Sequence, residues 1–358
     1  MTFEDSLIEN APLAPMTTLE VGGPARYFAE VTAIDMLLAG VKWARQRGAP
    51  LFVLGGGSNI VVADRGFPGL VLRMSLRGVE TRLDGDEVHI TAGAGEEWDA
   101  LVGHCAGRNW SGFECMSGIP GRVGATPIQN VGAYGQETAE TLLSVEALDL
   151  AAERMVELEA SDCEFGYRTS RFKKRDRGRF IITRVAYRLA VNGEPAVRYP
   201  ELQRYFADRG IDRPSPAQVR EAVLEIRRRK AMVIDPRDVD SRSVGSFFVN
   251  PTVTRDEFEV IKRRLAKLGV RGDELPAFPG SDGRIKLSAA WLIEQAGIKR
   301  GYAFGGVGTS TKHALAIVNR GGGAASEVMA LKELIQKRVL EAFGVELTPE
   351  PVFVGFDE

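Results

Sequence analysis

Apolar residues recur at helical spacing at Ile34, Leu37, Leu38 and Val41, which predicts a helix that stops at Gly48. Thr32 and Asp35 stand in the relation of a capping box at its start. The unbroken apolar run Leu51 to Leu54 then reads as a buried strand. LVLRM (70–74) and VHITAG (88–93) are consistent with a sheet, and LLSVEALDL (142–150) and FIITRVAYRLAV (180–191) are the clearest strands. Ser215, Pro216 and Gln218 form a strong helix start, with Val219, Ala222, Val223 and Ile226 as the buried stripe. That helix runs out near Lys230, and IDPRDVDSRS (234–243) reads as an exposed connection at a domain boundary. The last third predicts a helix near 288–296, a strand in HALAIVN (313–319) and a helix over 326–343 closed by Gly344. The alternation argues for a mixed α and β protein, and there is no internal repeat.

Composition narrows the class. With 358 residues, two or three domains are expected. A net charge of −2 gives no reason to expect nucleic acid or an anionic membrane as partner. The basic runs Lys173 to Arg179 and Arg227 to Lys230 read as solvated faces. No apolar stretch approaches the ~20 residues of a membrane span. The acidic N-terminus lacks a signal-peptide core, which favours the cytoplasm. Cys105, Cys115 and Cys163 read as buried free thiols, and the scattered His89, His104 and His313 weaken any metal-site or Ser-His-Asp reading.

Three stretches carry candidate chemistry. LGGGSNI (54–60) has no lysine for a P-loop, and its spacing and the β-branched residues after it exclude a Rossmann turn. What remains is a nest of backbone N–H groups with two short polar side chains, suited to a pyrophosphate, or else a tight connection with no ligand. GIPGRVGATPIQNVGAYG (118–135) is too glycine-rich for a helix and too apolar for a surface linker. Glycine lets a ligand lie against the main chain, and Gln129 and Asn130 add donors and acceptors, so a large cofactor with a flat ring fits better than a buried crossover. In RSVGSFFVNP (242–251), Ser246 lies between a glycine and two aromatics, where a hydroxyl can deliver a proton in a water-poor pocket. Glu350 is held between two prolines, and Arg168 in FGYRTSRF is a plausible carboxylate clamp. Taken singly, each is an ordinary turn serine, surface glutamate or surface arginine.

Taken together, GGGSN, GIPGRVGATPIQNVGAYG, FGYRTSRF, GSFFVNP and LTPEP, from TTLEVGGPARYF (17–28) to PVFVG, resemble the UDP-N-acetylenolpyruvoylglucosamine reductase family in content and order. The resemblance implies an α+β protein of three domains. Two would form a vanillyl-alcohol-oxidase-like FAD-binding unit (1–70, to which the tail 351–358 returns, and 71–227), and 228–350 would bind substrate. It implies non-covalent FAD, reduced by NADPH, and hydride transfer from flavin N5 to C3 of UDP-N-acetylglucosamine enolpyruvate, giving UDP-N-acetylmuramate. On it, Ser246 protonates C2, while Glu350 and Arg168 stabilise the enol-like intermediate. FAD would lie against Gly55, Gly56, Gly57, Ser58 and Asn59 of the first motif. From the second it would take Gly118, Ile119, Pro120, Gly121, Gly124, Ala125, Gln129, Asn130, Gly132 and Ala133. Tyr134, Tyr199, Lys230, Asn250 and His313 would contact substrate, Tyr199 as in the subtype with a tyrosine loop and Lys230 on the diphosphate. Arg122 departs from the family pattern, in which a small or hydroxylated residue commonly follows GIPG. No metal is implied, and nothing demands more than a monomer. A sugar or alcohol oxidase on the same scaffold, or a binding protein without chemistry, are the other readings.

Overall fold

The structure, a computed structural model, describes residues 3–267, 269–280 and 283–357. Met1, Thr2 and Glu358, at the ends of segments expected to hold FAD, lie outside these. The chain forms two compact units. The first comprises Met1–Ala11, Ala25–Gly57 and Pro68–Val233; the second comprises Pro12–Pro24, Ser58–Phe67 and Ile234–Glu358.

In chain order the first elements are β1 (Ile8–Pro12), β2 (Pro24–Val31), α1 (Ile34–Gln46), β3 (Leu51–Leu54), β4 (Ile60–Val62) and β5 (Phe67–Met74). β4 belongs to the second unit; the others pair in the order β1-β2-β5-β3, with β3 and β5 parallel. The expected cap of α1 is not formed. Ala33 is the N-cap, and the Thr32 hydroxyl lies against the Met36 sulfur, so the helix opens one residue later.

A second sheet is antiparallel, built from β6 (Val79–Asp84), β7 (Glu87–Gly93), β8 (Trp110–Ser111), β11 (Leu142–Asp149), β12 (Arg154–Glu159) and β13 (Phe180–Val191). The short hairpin β9 (Gly132–Ala133) and β10 (Gln136–Glu137) lies between them in sequence. Its order is β12-β11-β13-β7-β6, with β8 also on β13. β13 alternates as its sequence predicts, with Val185, Tyr187 and Leu189 buried. One apolar cluster runs from Leu70 and Leu72 through Val88 and Ile90 to Val145, Val185 and Tyr187, so both expected FAD-binding segments share a core. Helix α2 (Trp98–Gly107) adds Trp98, Leu101 and Val102 to it. Helices α3 (Pro200–Ala207) and α4 (Pro216–Arg229) pack together through Leu202, Phe206, Val219 and Val223. The capping box of α4 is formed: Gln218 N donates to Ser215 Oγ at 3.3 Å, and Ser215 N donates to Gln218 Oε1 at 2.9 Å.

The second unit holds β14 (Thr252–Val253), α5 (Arg255–Lys267), β15 (Ala277–Pro279), β16 (Ile285–Leu287) and α6 (Ala289–Gln295). After these come β17 (Ala303–Phe304), β18 (Val307–Thr309), β19 (Ile317–Asn319), α7 (Ala325–Phe343) and β20 (Val352–Val354). Only Ile317–Asn319 of the expected strand HALAIVN pairs. Gly344 closes α7 in the left-handed conformation (φ 72°), as expected. The tail strand β20 runs parallel to β4, with Val352 opposite Ile60 and Val354 opposite Val62. Phe247, Phe248, Leu331, Ile335, Val339 and Phe343 form its core. The segment 234–243 is not wholly exposed, contrary to the sequence reading: Asp240, Ser241 and Ser243 are buried. Asp240 accepts the Thr311 N–H and hydroxyl, which fixes the loop before β19.

Candidate active site

In the first unit the parallel strands β3 and β5 end side by side, Leu54 opposite Arg73, and Gly55–Gly57 leave from that edge. Gly56 lies on Gly121: a Cβ there would stand 2.6 Å from the Gly121 Cα. Gly121 is held by the Trp98 N–H, which donates to its carbonyl at 3.1 Å, and Gly124 N donates to the Ala94 carbonyl at 2.9 Å. The two glycine segments therefore meet main chain to main chain. Gly55 faces open space instead; the nearest atoms to a Cβ there are Arg122 Cβ and Cγ at 3.9 Å.

The rest of the second segment bends into a tight hairpin. Gly132 and Ala133 pair with Glu137 and Gln136, leaving Tyr134 (φ 50°) and Gly135 (φ 84°) as a two-residue turn with both φ positive. A left-handed tyrosine is uncommon and marks a site where the surroundings impose the conformation. The turn sets the Tyr134 ring edge-on to Tyr199, centroids 5.4 Å apart, and Lys230 Nζ lies 6.0 Å from the same ring. Burial pushes the Tyr134 phenol pKa upward. Lys230 also pairs with Glu201 at 2.6 Å. Tyr134, Tyr199 and Lys230, far apart in sequence, thus form one cluster.

Arg168 (φ 53°) sits in a second tight turn, closed by reciprocal bonds between Gly166 and Thr169 at 3.0 and 3.1 Å. Asn130 (φ 48°) is buried, and its Nδ2 donates to Glu137 Oε2 and to the Gly166 carbonyl. Its Oδ1 accepts the Ala139 N–H, so the amide works inside the protein, tying the glycine segment to the Arg168 turn. Ser170 Oγ makes a second tie to the Ile128 carbonyl at 2.6 Å. Ile119, Pro120, Ala125, Gln129 and Ala133 are partly or largely exposed along the same segment.

Two further groups here escaped the sequence reading. Arg227 is not on a solvated face: Nη2 donates to the carbonyls of Gly118 at 3.3 Å and Met232 at 2.7 Å. Burial lowers its pKa, and its Nε has no partner among the described residues. Asp99 accepts the Gly118 N–H at 2.6 Å and both arms of Arg220. Burial raises its pKa, but the bonds from Arg220 and Gly118 outweigh that and hold it below the usual carboxylate range. The first arginine of a basic run and a lone helix aspartate carry no sequence signal for such a clamp.

The second unit gathers the other candidates. Gly245 (φ 74°) turns the chain into Ser246. Phe247 N donates to the Leu315 carbonyl at 2.8 Å, and its carbonyl accepts the Glu350 N–H at 2.9 Å. Phe248 bridges Pro349, and Val249 N donates to the Thr348 carbonyl at 3.0 Å, so Ser246–Val249 run antiparallel to 348–350. Asn59 Nδ2 donates to the Glu350 carbonyl at 3.3 Å. His313 Nδ1 accepts the Leu315 N–H at 3.1 Å, and Asn250 Oδ1 accepts Ala289 N at the start of α6. Ser58 lies in the same unit, directly after the point where the chain leaves the first. The three cysteines are free and buried, as expected.

Residues 25–159 match the FAD binding domain family, and residues 235–354 match the C-terminal domain of UDP-N-acetylenolpyruvoylglucosamine reductase. The UDP-N-acetylenolpyruvoylglucosamine reductase of Thermobifida fusca is 48% identical over 98% of each chain. That of Salinispora arenicola is 46% identical over 96% of this chain and 94% of its own. The chain belongs to this family. The crystal structure of the UDP-N-acetylenolpyruvylglucosamine reductase of Thermus caldophilus aligns with a TM-score of 0.64 at 26% identity, over 97% of this chain and 98% of that one. The α+β reductase architecture and the FAD cofactor follow from membership. The residues present fit FAD: bare glycine backbone opens at Gly55 at the end of a parallel strand pair, with an arginine alongside. Among the described residues, no helix is long and apolar enough to cross a membrane.

Proposed function

We propose that Ser246, Glu350 and Arg168 perform the proton and charge steps of the family reaction. That reaction is the NADPH-dependent reduction of UDP-N-acetylglucosamine enolpyruvate to UDP-N-acetylmuramate in peptidoglycan precursor synthesis. Bound FAD supplies hydride from N5 to C3 of the enolpyruvyl ether. Negative charge then develops at C2 and on the adjoining carboxylate. The Ser246 hydroxyl gives C2 its proton, and the buried Phe247 and Phe248 beside it limit water. The Arg168 guanidinium holds the carboxylate, and Glu350 completes the polar surroundings of the enol-like intermediate, favouring the transition state over the ground state.

The observation that carries this reading is the pairing of the Ser246 strand with the Glu350 segment through the Glu350 N–H and Phe247 carbonyl. Backbone pairing thus sets two residues of matching chemistry on adjacent stretches of chain, which supports a shared role. FAD lies against Gly55–Asn59 and the glycine segment from Gly118 to Ala133, without covalent attachment. Tyr134, Tyr199 and Lys230 receive the nucleotide and its diphosphate, with Asn250 and His313 as further contacts. NADPH and substrate bind in turn to one site, in a cytoplasmic monomer with no nucleic-acid partner.

Anaerobic half-reactions test the assignment. NADPH bleaches the flavin of wild type, and the enolpyruvyl substrate restores its colour. Ser246→Ala keeps the bleaching rate and loses recolouring by about 100-fold or more. Equal loss in both halves would show that Ser246 is not the proton donor.

A further inference from the structure

Arg122 stands where the two glycine segments meet, and its ion-pair partner among the described residues is the exposed Glu97. Its side chain is 11% exposed and crosses beside Gly55, whose missing Cβ would lie 3.9 Å from Arg122 Cβ and Cγ. Both of its hydrogen bonds leave through Nη1, to the Gly95 carbonyl at 3.2 Å and to Glu97 Oε1 at 3.1 Å. The Nε and Nη2 edge donates to no atom among the described residues, and this is the edge that takes two phosphate or carboxylate oxygens at once. Glu97 is a weak partner, with a side chain 62% exposed.

Two more arginines share the spot. Arg73, in the last pair of the β3–β5 ladder, stands opposite Leu54, one residue before Gly55, and its side chain makes no hydrogen bond or ion pair among the described residues. Arg77 follows it and is matched by Glu96 at 3.2 Å. Burial lowers the Arg122 pKa, and the neighbouring charges of Arg77 and Arg73 lower it further against the pull of Glu97. Three guanidinium groups against two carboxylates leave a cationic excess beside bare glycine backbone, a placement that costs free energy until an anion arrives.

We propose that Arg122, reinforced by Arg73, is the cationic anchor of the FAD diphosphate in this chain, receiving its oxygens on the Nε–Nη2 edge beside Gly55. The proposal rests on the FAD reading above. It makes cofactor retention in this protein depend on ionic strength, because the anchor is an ion pair at a partly open edge rather than a neutral hydrogen bond.

The test is reconstitution of apoprotein with FAD, followed by quenching of flavin fluorescence at several salt concentrations, for wild type, Arg122→Gln and Arg122→Lys. Thermal unfolding of each apoprotein runs in parallel. The expected result is a Kd for FAD raised about tenfold or more in Arg122→Gln. Its dependence on salt becomes shallower, the wild-type salt dependence returns in Arg122→Lys, and the apoprotein melts no lower than wild type. An unchanged salt dependence in Arg122→Gln overturns the proposal, whether or not affinity falls, because loss of affinity alone would reflect the bonds to Gly95 and Glu97. Failure of wild-type apoprotein to take up FAD at any salt concentration would instead overturn the FAD reading itself.

Discussion

Gly56 provides a direct test of the contact between the two glycine segments. In Gly56→Ala the new methyl would stand 2.6 Å from Cα, 3.1 Å from C and 3.4 Å from N of Gly121. Carbon atoms rest at about 3.5–4.0 Å, so the two backbones must part by about 1 Å. Overpacking costs ~1–3 kcal/mol, and the upper end applies here because every atom met is main chain. Gly121 cannot simply retreat, being tied through its carbonyl to Trp98 N at 3.1 Å. At about 2–4 °C per kcal/mol, the apoprotein should melt about 6–12 °C lower. Gly55→Ala is the control. Its methyl meets only Arg122 side-chain carbons at 3.9 Å, so apoprotein stability should stay within about 0.5 kcal/mol of wild type. The same methyl enters the space assigned to the diphosphate, and the Kd for FAD should rise about tenfold. Scanning fluorimetry of apoprotein and a flavin titration read the two effects separately. A wild-type melting temperature for Gly56→Ala, or an equal drop for Gly55→Ala, would refute the packing argument.

Other outcomes follow from single contacts. Ser215→Ala removes the α4 cap and should cost about 1 kcal/mol in urea unfolding. Gly344→Ala should cost about as much, because φ is 72° and the new Cβ meets the Arg264 guanidinium carbon at 3.1 Å. Asp99 has a depressed pKa in the fold, so its stabilising contribution is full above the unfolded value near ~4 and is lost as pH falls through the folded one. Asp99→Asn should therefore flatten the acid limb of the stability–pH profile measured by denaturant unfolding, leaving its neutral limb parallel to wild type.

Local patterns were legible where one residue type has one conformational use. Ser215 with Gln218, Gly344 after an apolar stripe and the alternation of β13 each gave their element from neighbouring residues alone. The start of α1 differs from the sequence reading because Thr32 offers a capping hydroxyl that is turned to the Met36 sulfur, leaving Ala33 as an N-cap without a side-chain bond. Candidate site residues were visible as motifs, but their grouping was not. Tyr134 meets Tyr199 through a hairpin and a helix start separated by the whole of β11 to β13. Arg227 read as surface because a run of basic residues is usually solvated; only the Gly118 and Met232 carbonyls, distant or turned back on it, draw it inward. Asp240 reads as part of an exposed connection because its stretch is polar, its partner Thr311 lying in a loop the sequence does not mark.

The β4–β20 pair has a consequence for how the protein is made. Asn59 and Glu350, joined just beside it, are 291 positions apart. At ~5–20 residues per second on the ribosome, Ile60-Val61-Val62 emerge about 15–60 s before their partner strand exists. Through that interval an apolar strand edge waits unpaired, while the stretch ending at Val233 is already available to fold. A chain cut just after Glu350 would therefore carry every catalytic candidate yet leave the β4 edge without its partner strand.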